Sequence, residues 1–481
     1  MLLLRDEKVL DEVARRAREH AAQVRSVAAG DADLPAVHGA KLVATLAAAR
    51  DSALYRDTLP RGLVDDAAQG RLTPRRALEE VFPALPLLEK GELSRSGPTA
   101  FTRRLGDFLH YYESSGTTGE PVAAPKALDD LLINTVNIGE LWARLLDPSD
   151  RAIILINAPF APAAYQFEKV LEYLQILSFR PWVDNITGDY TRVLRLVDQL
   201  GANVFVGPPS RLLELVQFAH RNGHPAPRFD RLLLMAEQTG PAFVRHLERL
   251  TGARAYVCSY GSSETGTIAV TCEHRRLHLQ QHSYLLELED DAEGTGIRLA
   301  GDRPDRGRLI VTTLDIPARP LIRYRIGDLV EIDPSPCPCG VRTAGVRTLG
   351  RAQDVITLDG NGIRQDDLEA ALWTEDAPGP AVFNYMLVVH EETVVVLTTT
   401  AGEPDEEWGA ALAGRLAPLF PRHELAVRAV EKLPPLASLG QYLGWKLSRV
   451  LDVTDSRNWE RLPEPINGIV RETLRSVGVA V

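Results

Sequence analysis

Apolar residues recur at three- and four-residue spacing through the first 80 positions, as at Val9, Val13 and Ala17, and this spacing predicts helices there. The stretch "LPAVHGAKL" (34–42) is expected to break the first helix from the second. A Pro-rich passage, "FPALPLLEKGELSRSGP", follows. From about 150 to 335 short apolar runs alternate with helical patterns: "AIILINAP", then helical "YQFEKVLEYLQIL"; "NVFVGPP" and "RLLLMAE" on either side of helical "SRLLELVQFAHRNG"; then "ARAYVCSYGSSE". All-apolar strands alternating with helices predict α/β layers with mainly parallel strands. "GRLIVTTL" and "DLVEID" read as strands of a more antiparallel part. After Gly350 the texture changes to short strands ("MLVVH", "TVVVLTTT") and helices, which predicts a separate small α+β domain. The expected architecture is therefore α/β: a large N-terminal domain of layered mixed sheets and helices over 1–350, with 1–80 as a helical lead-in, and a small α+β C-terminal domain over 351–481.

Composition narrows the function classes. Of 481 residues, 45% are apolar and 25% charged, which suits a globular chain with a large core. The net charge of -11 argues against a nucleic-acid partner, which needs a basic face. Three leucines followed at once by charges are too few for a signal-peptide core, and no run of 18 apolar residues predicts a membrane span. Four cysteines are too sparse for a disulfide framework, so a reducing cytoplasm is the expected compartment.

One stretch cannot help to fill a core. "ESSGTTGEP" (113–121) holds six consecutive small residues, Ser114, Ser115, Gly116, Thr117, Thr118 and Gly119. Glycines permit close backbone approach, and successive N–H groups with hydroxyls form a nest for phosphates. The pattern is not a P-loop, because no Lys-Ser or Lys-Thr follows the second glycine. A plain polar hairpin loop is the alternative reading.

Further segments follow in order: "CSYGSSETG" (258–266), "LIRYRIGDLV" (321–330), "LGRAQDVITLDGNGI" (349–363) and "GWKLSRVLD" (444–452). With the 114–119 loop they resemble the phosphate loop, the Tyr-Gly-x-[Ser/Thr]-Glu segment, the Tyr-Arg-x-Gly-Asp segment, the hinge and the C-terminal lysine loop of the adenylate-forming superfamily. The resemblance runs from about residue 80 to 455 and leaves the first 75 residues without a family signal. "MAEQ" (235–238), Val122 after Pro121, and "CPCG" (337–340) are similar to the phenylacetate–coenzyme A ligase-like branch.

The resemblance implies ATP-dependent activation of a carboxylic acid to an acyl-adenylate, followed by transfer to coenzyme A or a carrier-protein thiol, with 351–481 as a mobile lid. The branch points to aromatic acids. The 114–119 loop would hold the β,γ-phosphates, and Glu264 would ligate Mg2+, a hard cation that takes carboxylate and phosphate oxygens. Tyr260 offers a ring to the adenine or the acid, and Asp328 would accept from both ribose hydroxyls. Arg351 would sit near the ribose or phosphates. Lys446 would reach the junction of carboxylate and α-phosphate. Ala236, Glu237, Gly261 and Ser263 complete the nucleotide-binding set. Phe160 and Tyr165, in "NAPFAPAAYQFE", are candidates for stacking on an aromatic acid.

Gln353 stands where the superfamily hinge usually has Asp or Lys, and "DGNGIRQDDLE" replaces the branch's usual lid loop. These departures keep a rival open: a stand-alone adenylating enzyme that spends the acyl-AMP directly on an ester, amide or N–N bond. A non-catalytic nucleotide-binding protein is a more distant rival, opposed by Glu264, Asp328 and Lys446. A homodimer is compatible with the sequence. Separately, Cys272, Cys337 and Cys339 with a histidine of "CEHRRLH" make a Cys3His set suited to structural zinc. Among His274, His278 and His282, the branch's Leu-His pattern favours His278. Free buried cysteines beside surface histidines are the alternative.

Overall fold

The computed structural model describes residues 6–114, 121–156, 162–183, 188–290, 296–351, 356–358, 361–374, 378–434 and 449–479. It is an α/β architecture with both parallel and antiparallel sheets, as the alternating pattern predicts. Among the described residues no helix is long and apolar enough to cross a membrane.

The lead-in begins with the helix Glu7–Ala29, capped by Asp6, whose carboxylate accepts from the backbone N–H groups of Lys8 and Val9. It ends at Gly30, which takes the left-handed conformation (φ 81). The next helix, Leu34–Ala49, starts inside "LPAVHGAKL" rather than being broken by it, with Asp33 as cap and Pro35 in its first turn. The break expected at 34–42 therefore lies at 30–33: a proline in the first turn of a helix loses no hydrogen bond, so it marks a start and not a stop.

The chain divides into two compact units, which cut it differently from the 1–350 and 351–481 division. The first holds residues 1–150, 158–178 and 257–352; the second holds 151–157, 179–256 and 353–481.

In the first unit an eight-stranded antiparallel sheet runs in the order Ile297–Leu299, Tyr284–Glu289, Asp305–Thr313, Tyr324–Asp333, Gly345–Arg351, Leu277–Leu279, Gly266–Thr271, Ser259–Ser262. "GRLIVTTL" and "DLVEID" fall in the third and fourth of these. The apolar side chains of the sheet, including Leu286, Val311, Tyr324 and Val330, share one core with Leu42, Leu46 and Tyr55 of the lead-in and with Phe82 just past it. Polar contacts fix the same docking. Asn137 Oδ1 lies 2.7 Å from His20 Nε2 and 2.8 Å from His282 Nε2. Lys41 pairs with Asp315 at 2.5 Å. Burial pushes both histidines below their ordinary pKa, which suits neutral rings sharing an amide.

In the second unit Arg151–Ile154, Val204–Gly207 and Arg231–Leu234 pair in parallel, with Arg254–Val257 next in order. Their burial on both faces explains the all-apolar runs. Past residue 353 come a hairpin, Ile356–Leu358 with Asn361–Ile363, and the helix Gln365–Leu372. A four-stranded sheet follows, in the order Glu424–Ala429, Thr393–Thr400, Val382–His390, Val450–Asp452. Leu368, Trp373 and Tyr385 from this part share a core with Ile153, Phe205 and Leu232 of the parallel sheet.

Candidate functional site

The arms of the glycine-rich loop are described, and its tip, 115–120, lies outside the described residues, so Ser115, Gly116, Thr117, Thr118 and Gly119 do too. The arms form a hairpin: Glu113 bridges Ala123 and His110 bridges Lys126, both antiparallel. At its mouth the Ser114 N–H donates to Val122 O at 2.9 Å, and the Ser114 hydroxyl accepts from the Val122 N–H at 2.9 Å. Ser114 and Val122 thus close the two arms on each other.

Tyr260 and Gly261 lie on the strand Ser259–Ser262, antiparallel to Gly266–Thr271, with a register shift between the two residues. A Cβ at Gly261 would run into the carbonyl oxygen of Gly266, so this position needs glycine. The Tyr260 hydroxyl donates to Asp328 Oδ2 at 2.7 Å. Their strands stand four steps apart in the sheet order. At roughly 4.8 Å per step a flat sheet would hold them about 19 Å apart, so the sheet must curl strongly to bring them together. Arg351 stands opposite Asp328 in register, on the strand Gly345–Arg351. The structure thus brings Tyr260, Asp328 and the backbone of Arg351 to one place.

Glu264 follows on the turn between strands and is buried. Its Oε1 accepts from the Tyr324 hydroxyl at 3.2 Å, and its backbone oxygen accepts from Arg319. The preceding carbonyl, of Ser263, accepts from Lys126 Nζ at 2.9 Å. The Thr265 carbonyl accepts from the Tyr284 hydroxyl at 2.8 Å. Side chains from four other places along the chain therefore hold three consecutive residues. Burial, with Arg319 close by, pushes the Lys126 ammonium down to about 8, against the attraction of Asp130 and Glu264. Burial pushes the Asp130 carboxyl up to about 6, opposed first by Lys126. Neither Lys126 nor Arg319 carries a spacing signal in the sequence. A lysine just after a glycine-rich loop and an arginine between two prolines are ordinary surface patterns, and only burial distinguishes them.

Tyr165 is half-buried on the helix Ala163–Tyr173, its ring 4.4 Å from that of His110, which in turn stacks on Tyr112 at 5.7 Å. His110 is a further aromatic neighbour that sequence reasoning missed. Phe160 lies outside the described residues.

Ala236 and Glu237 belong to the second unit, just past the carboxyl end of the parallel strand Arg231–Leu234. Open parallel sheets bind ligands outside such ends. Ala236 takes a left-handed φ of 70, a strained conformation for a residue with a Cβ. The Glu237 carboxylate accepts from the backbone N–H of Ser210 at 3.2 Å and from its hydroxyl. Burial raises its pKa, and the Ser210 hydrogen bonds oppose the rise. Lys446 and Gln353 lie outside the described residues.

The cysteine–histidine set converges. One ligand atom from each of Cys272, His278, Cys337 and Cys339 lies within 4.8 Å of all the others, and all four residues are buried. The Cys272 and Cys337 sulfurs are 3.8 Å apart, and Cys339 Sγ is 3.3 Å from His278 Nε2. Tetrahedral zinc with sulfur at about 2.3 Å requires sulfur–sulfur edges of about 3.8 Å. His278 Nδ1 lies 2.9 Å from Thr343 O, which places the proton on that nitrogen and leaves Nε2 to face the sulfurs. Backbone N–H groups of His274 and Val341 donate to Cys272 Sγ and Cys339 Sγ, each at 3.4 Å. His282 is held elsewhere, on Asn137. The donor set fits zinc.

The fold is that of the adenylate-forming ligases, which matches the resemblance read from the motifs. It aligns with 2-hydroxyisobutyryl-CoA ligase in the postadenylation state, in complex with 2-HIB-AMP, at a TM-score of 0.69 and 18% identity, covering 92% of this chain and 91% of that one. The same ligase in the thioesterification state, with 2-HIB-AMP and CoA, aligns at 0.56 and 18% identity over 92% of each chain. In sequence the chain is 26% identical over 347 residues to the phenylacetate-coenzyme A ligase of Thermus thermophilus, covering 69% of this chain and 74% of that protein. No family profile matches the chain.

Proposed function

We propose that this protein is an ATP-dependent acid–thiol ligase. A carboxylate oxygen of the acid attacks the α-phosphorus of ATP and pyrophosphate leaves. A thiol sulfur then attacks the acyl carbonyl and AMP leaves. The substrate class is an aromatic carboxylic acid, supported by the phenylacetate-coenzyme A ligase relative and by the Tyr165–His110–Tyr112 ring cluster. Coenzyme A is the proposed acceptor, as in the thioesterification complex of the similar ligase; a carrier-protein thiol is the other acceptor the chemistry admits.

The observation that carries this reading is the Tyr260–Asp328 hydrogen bond opposite Arg351, with Glu264 held close by along the same turn. In the proposed roles Asp328 orients the ribose and Tyr260 fixes the rotamer of Asp328. The hairpin tip, with Ser115, Gly116, Thr117, Thr118 and Gly119, cradles the phosphates. Lys446 meets the charge that develops at the α-phosphate. Glu264 would hold Mg2+, which when bound neutralises phosphate charge. Residues 351–481 are proposed as the lid that exchanges the two half-reactions, a movement that would have to break the packing of Leu368, Trp373 and Tyr385 against the parallel sheet, and a cytoplasmic setting suits four cysteines that form no disulfide.

The test is ATP–pyrophosphate exchange over a panel of carboxylic acids, followed by mass analysis of the product with and without coenzyme A. Exchange with an aryl acid and a coenzyme A thioester are expected. Exchange with none of the acids overturns the reading. Thioester formation only with a carrier protein, or an amide in its place, would move the acceptor and leave the activation step standing.

The cysteine–histidine cluster is proposed as a structural zinc site held by Cys272, His278, Cys337 and Cys339. Metal analysis is expected to find about one zinc per chain, and Cys337→Ser to lower both zinc content and melting temperature. Metal-free protein that melts like the zinc-loaded form would rule the site out.

A further inference from the structure

We propose that Arg319 is a positioning residue for Glu264: it anchors the Glu264 backbone from the buried side so that the carboxylate meets a divalent cation in one orientation, and it is kept there at the expense of stability. The proposal rests on the reading of Glu264 as the cation ligand.

Arg319 is 1% exposed. One of its nitrogens donates to the Glu264 carbonyl. Its Nε and Nη1 are buried and have no hydrogen-bond partner. Among the described residues it makes no ion pair within 4 Å. Burial drives its pKa below the ordinary arginine value, with Glu264 the largest of the opposing charges and Tyr55, Tyr324 and Asp130 after it. A guanidinium taken out of water with two donors unmet is costly, and its one hydrogen bond to the Glu264 carbonyl does not offset both.

What the arginine contributes is therefore sought in what it holds. The chain around Glu264 is fixed at each successive carbonyl, by Lys126 at Ser263, by Arg319 at Glu264 and by Tyr284 at Thr265. Tyr324 holds one carboxylate oxygen. Of these four contacts, the one on Glu264's own carbonyl belongs to Arg319. A carboxylate ligand set on a fixed peptide has less rotational freedom to lose when it binds a cation, and groups that orient a ligand in this way tune metal affinity.

The experiment compares wild type, Glu264→Gln and Arg319→Met for thermal melting and for ATP–pyrophosphate exchange as a function of free Mg2+. Arg319→Met is expected to stay folded while its half-saturating Mg2+ rises by about 10–100-fold, the usual effect of losing an outer partner of a metal ligand. The KM for the acid should stay unchanged. Arg319→Lys, which retains a donor, should recover part of the loss. A role through charge alone gives the opposite sign, because removing a positive group beside the site should tighten Mg2+ binding, and that result overturns the proposal. So does an unchanged Mg2+ dependence, and so does a variant that fails to fold. Glu264→Gln separates the two levels. If it keeps the wild-type Mg2+ dependence, the reading of Glu264 itself has failed; if it loses exchange while Arg319→Met behaves as wild type, only the positioning role has failed.

Discussion

Arg319 in the first unit and Arg449 in the second are both buried, at 1% and 3% exposure, but in different surroundings. Arg449 lies between two rings, 5.1 Å from the centroid of Phe243 and 4.8 Å from that of Tyr385, and donates to Asn384. Its carbonyl accepts from Leu387 at 2.7 Å, at the start of the strand Val450–Asp452. The two rings and Asn384 offset its charge, although its Nη2 too is buried without a hydrogen-bond partner, and it acts as part of a core. Arg319 has no such ring contact among the described residues and meets one carbonyl. Equal burial therefore does not mean equal purpose: one arginine holds its unit together, and the other holds a turn that carries a candidate ligand.

The sharpest way to break this contrast uses two neighbours in the chain. Lys446→Ala is expected to lower ATP–pyrophosphate exchange by about 10²–10³-fold, as loss of one electrostatic contact to a transition state does, with an unchanged melting curve. Arg449→Met should do the reverse, with exchange nearly retained in folded protein and stability reduced by about 2 kcal/mol or more from the lost desolvated cation–ring contacts. Urea unfolding read beside exchange kinetics checks both. If Arg449→Met leaves stability intact, the two arginines are not different in kind.

A smaller effect separates the units by pH. In the second unit, burial pushes the Glu369 carboxyl up to about 8. Its folded form holds a proton that the unfolded form releases from about pH 4.5 upward, so its contribution is full below that pH and is lost as pH rises through 8. In the first unit Lys126 is pushed down to about 8. Its contribution is full above about 10.5 and is lost as pH falls through 8. Glu369→Gln should therefore flatten the decline in stability below pH 8, and Lys126→Met the rise above it, each by at most about 1.4 kcal/mol per pH unit. Denaturant midpoints measured from pH 5 to 10 decide it. Identical slopes in variants and wild type would show that these groups titrate normally.

The parts of the molecule legible from sequence were those with a period or a rare residue. The parallel strands are buried on both faces, so they show as unbroken apolar runs, and Arg151–Ile154, Val204–Gly207 and Arg231–Leu234 fall where those runs are. Cysteine is scarce here, so Cys272, Cys337 and Cys339 stand out, and the fold does bring them to His278. Tyr260 and Asp328 were legible as motif residues; their mutual hydrogen bond was not, because it depends on the curl of a sheet in which they are far apart. Lys126, Arg319 and His110 left no trace, since their residue types are common in loops and their importance comes from burial or from a ring stacked on them. The helix break moved to Gly30–Asp33 because capping, not apolar spacing, sets where a helix ends.

The second unit is assembled from pieces that leave the ribosome at very different times. The parallel sheet is complete by Val257, but its core partners Trp373, Val382, Tyr385 and Leu387 lie more than a hundred residues later, on the far side of the sheet that completes the first unit. At roughly 5–20 residues per second, the nascent chain carries four apolar strands without their cover for on the order of ten seconds. During synthesis, that half-built layer is where chaperones would be expected to bind, and slowing translation between 257 and 373 would raise aggregation before any finished enzyme exists to lose its activity.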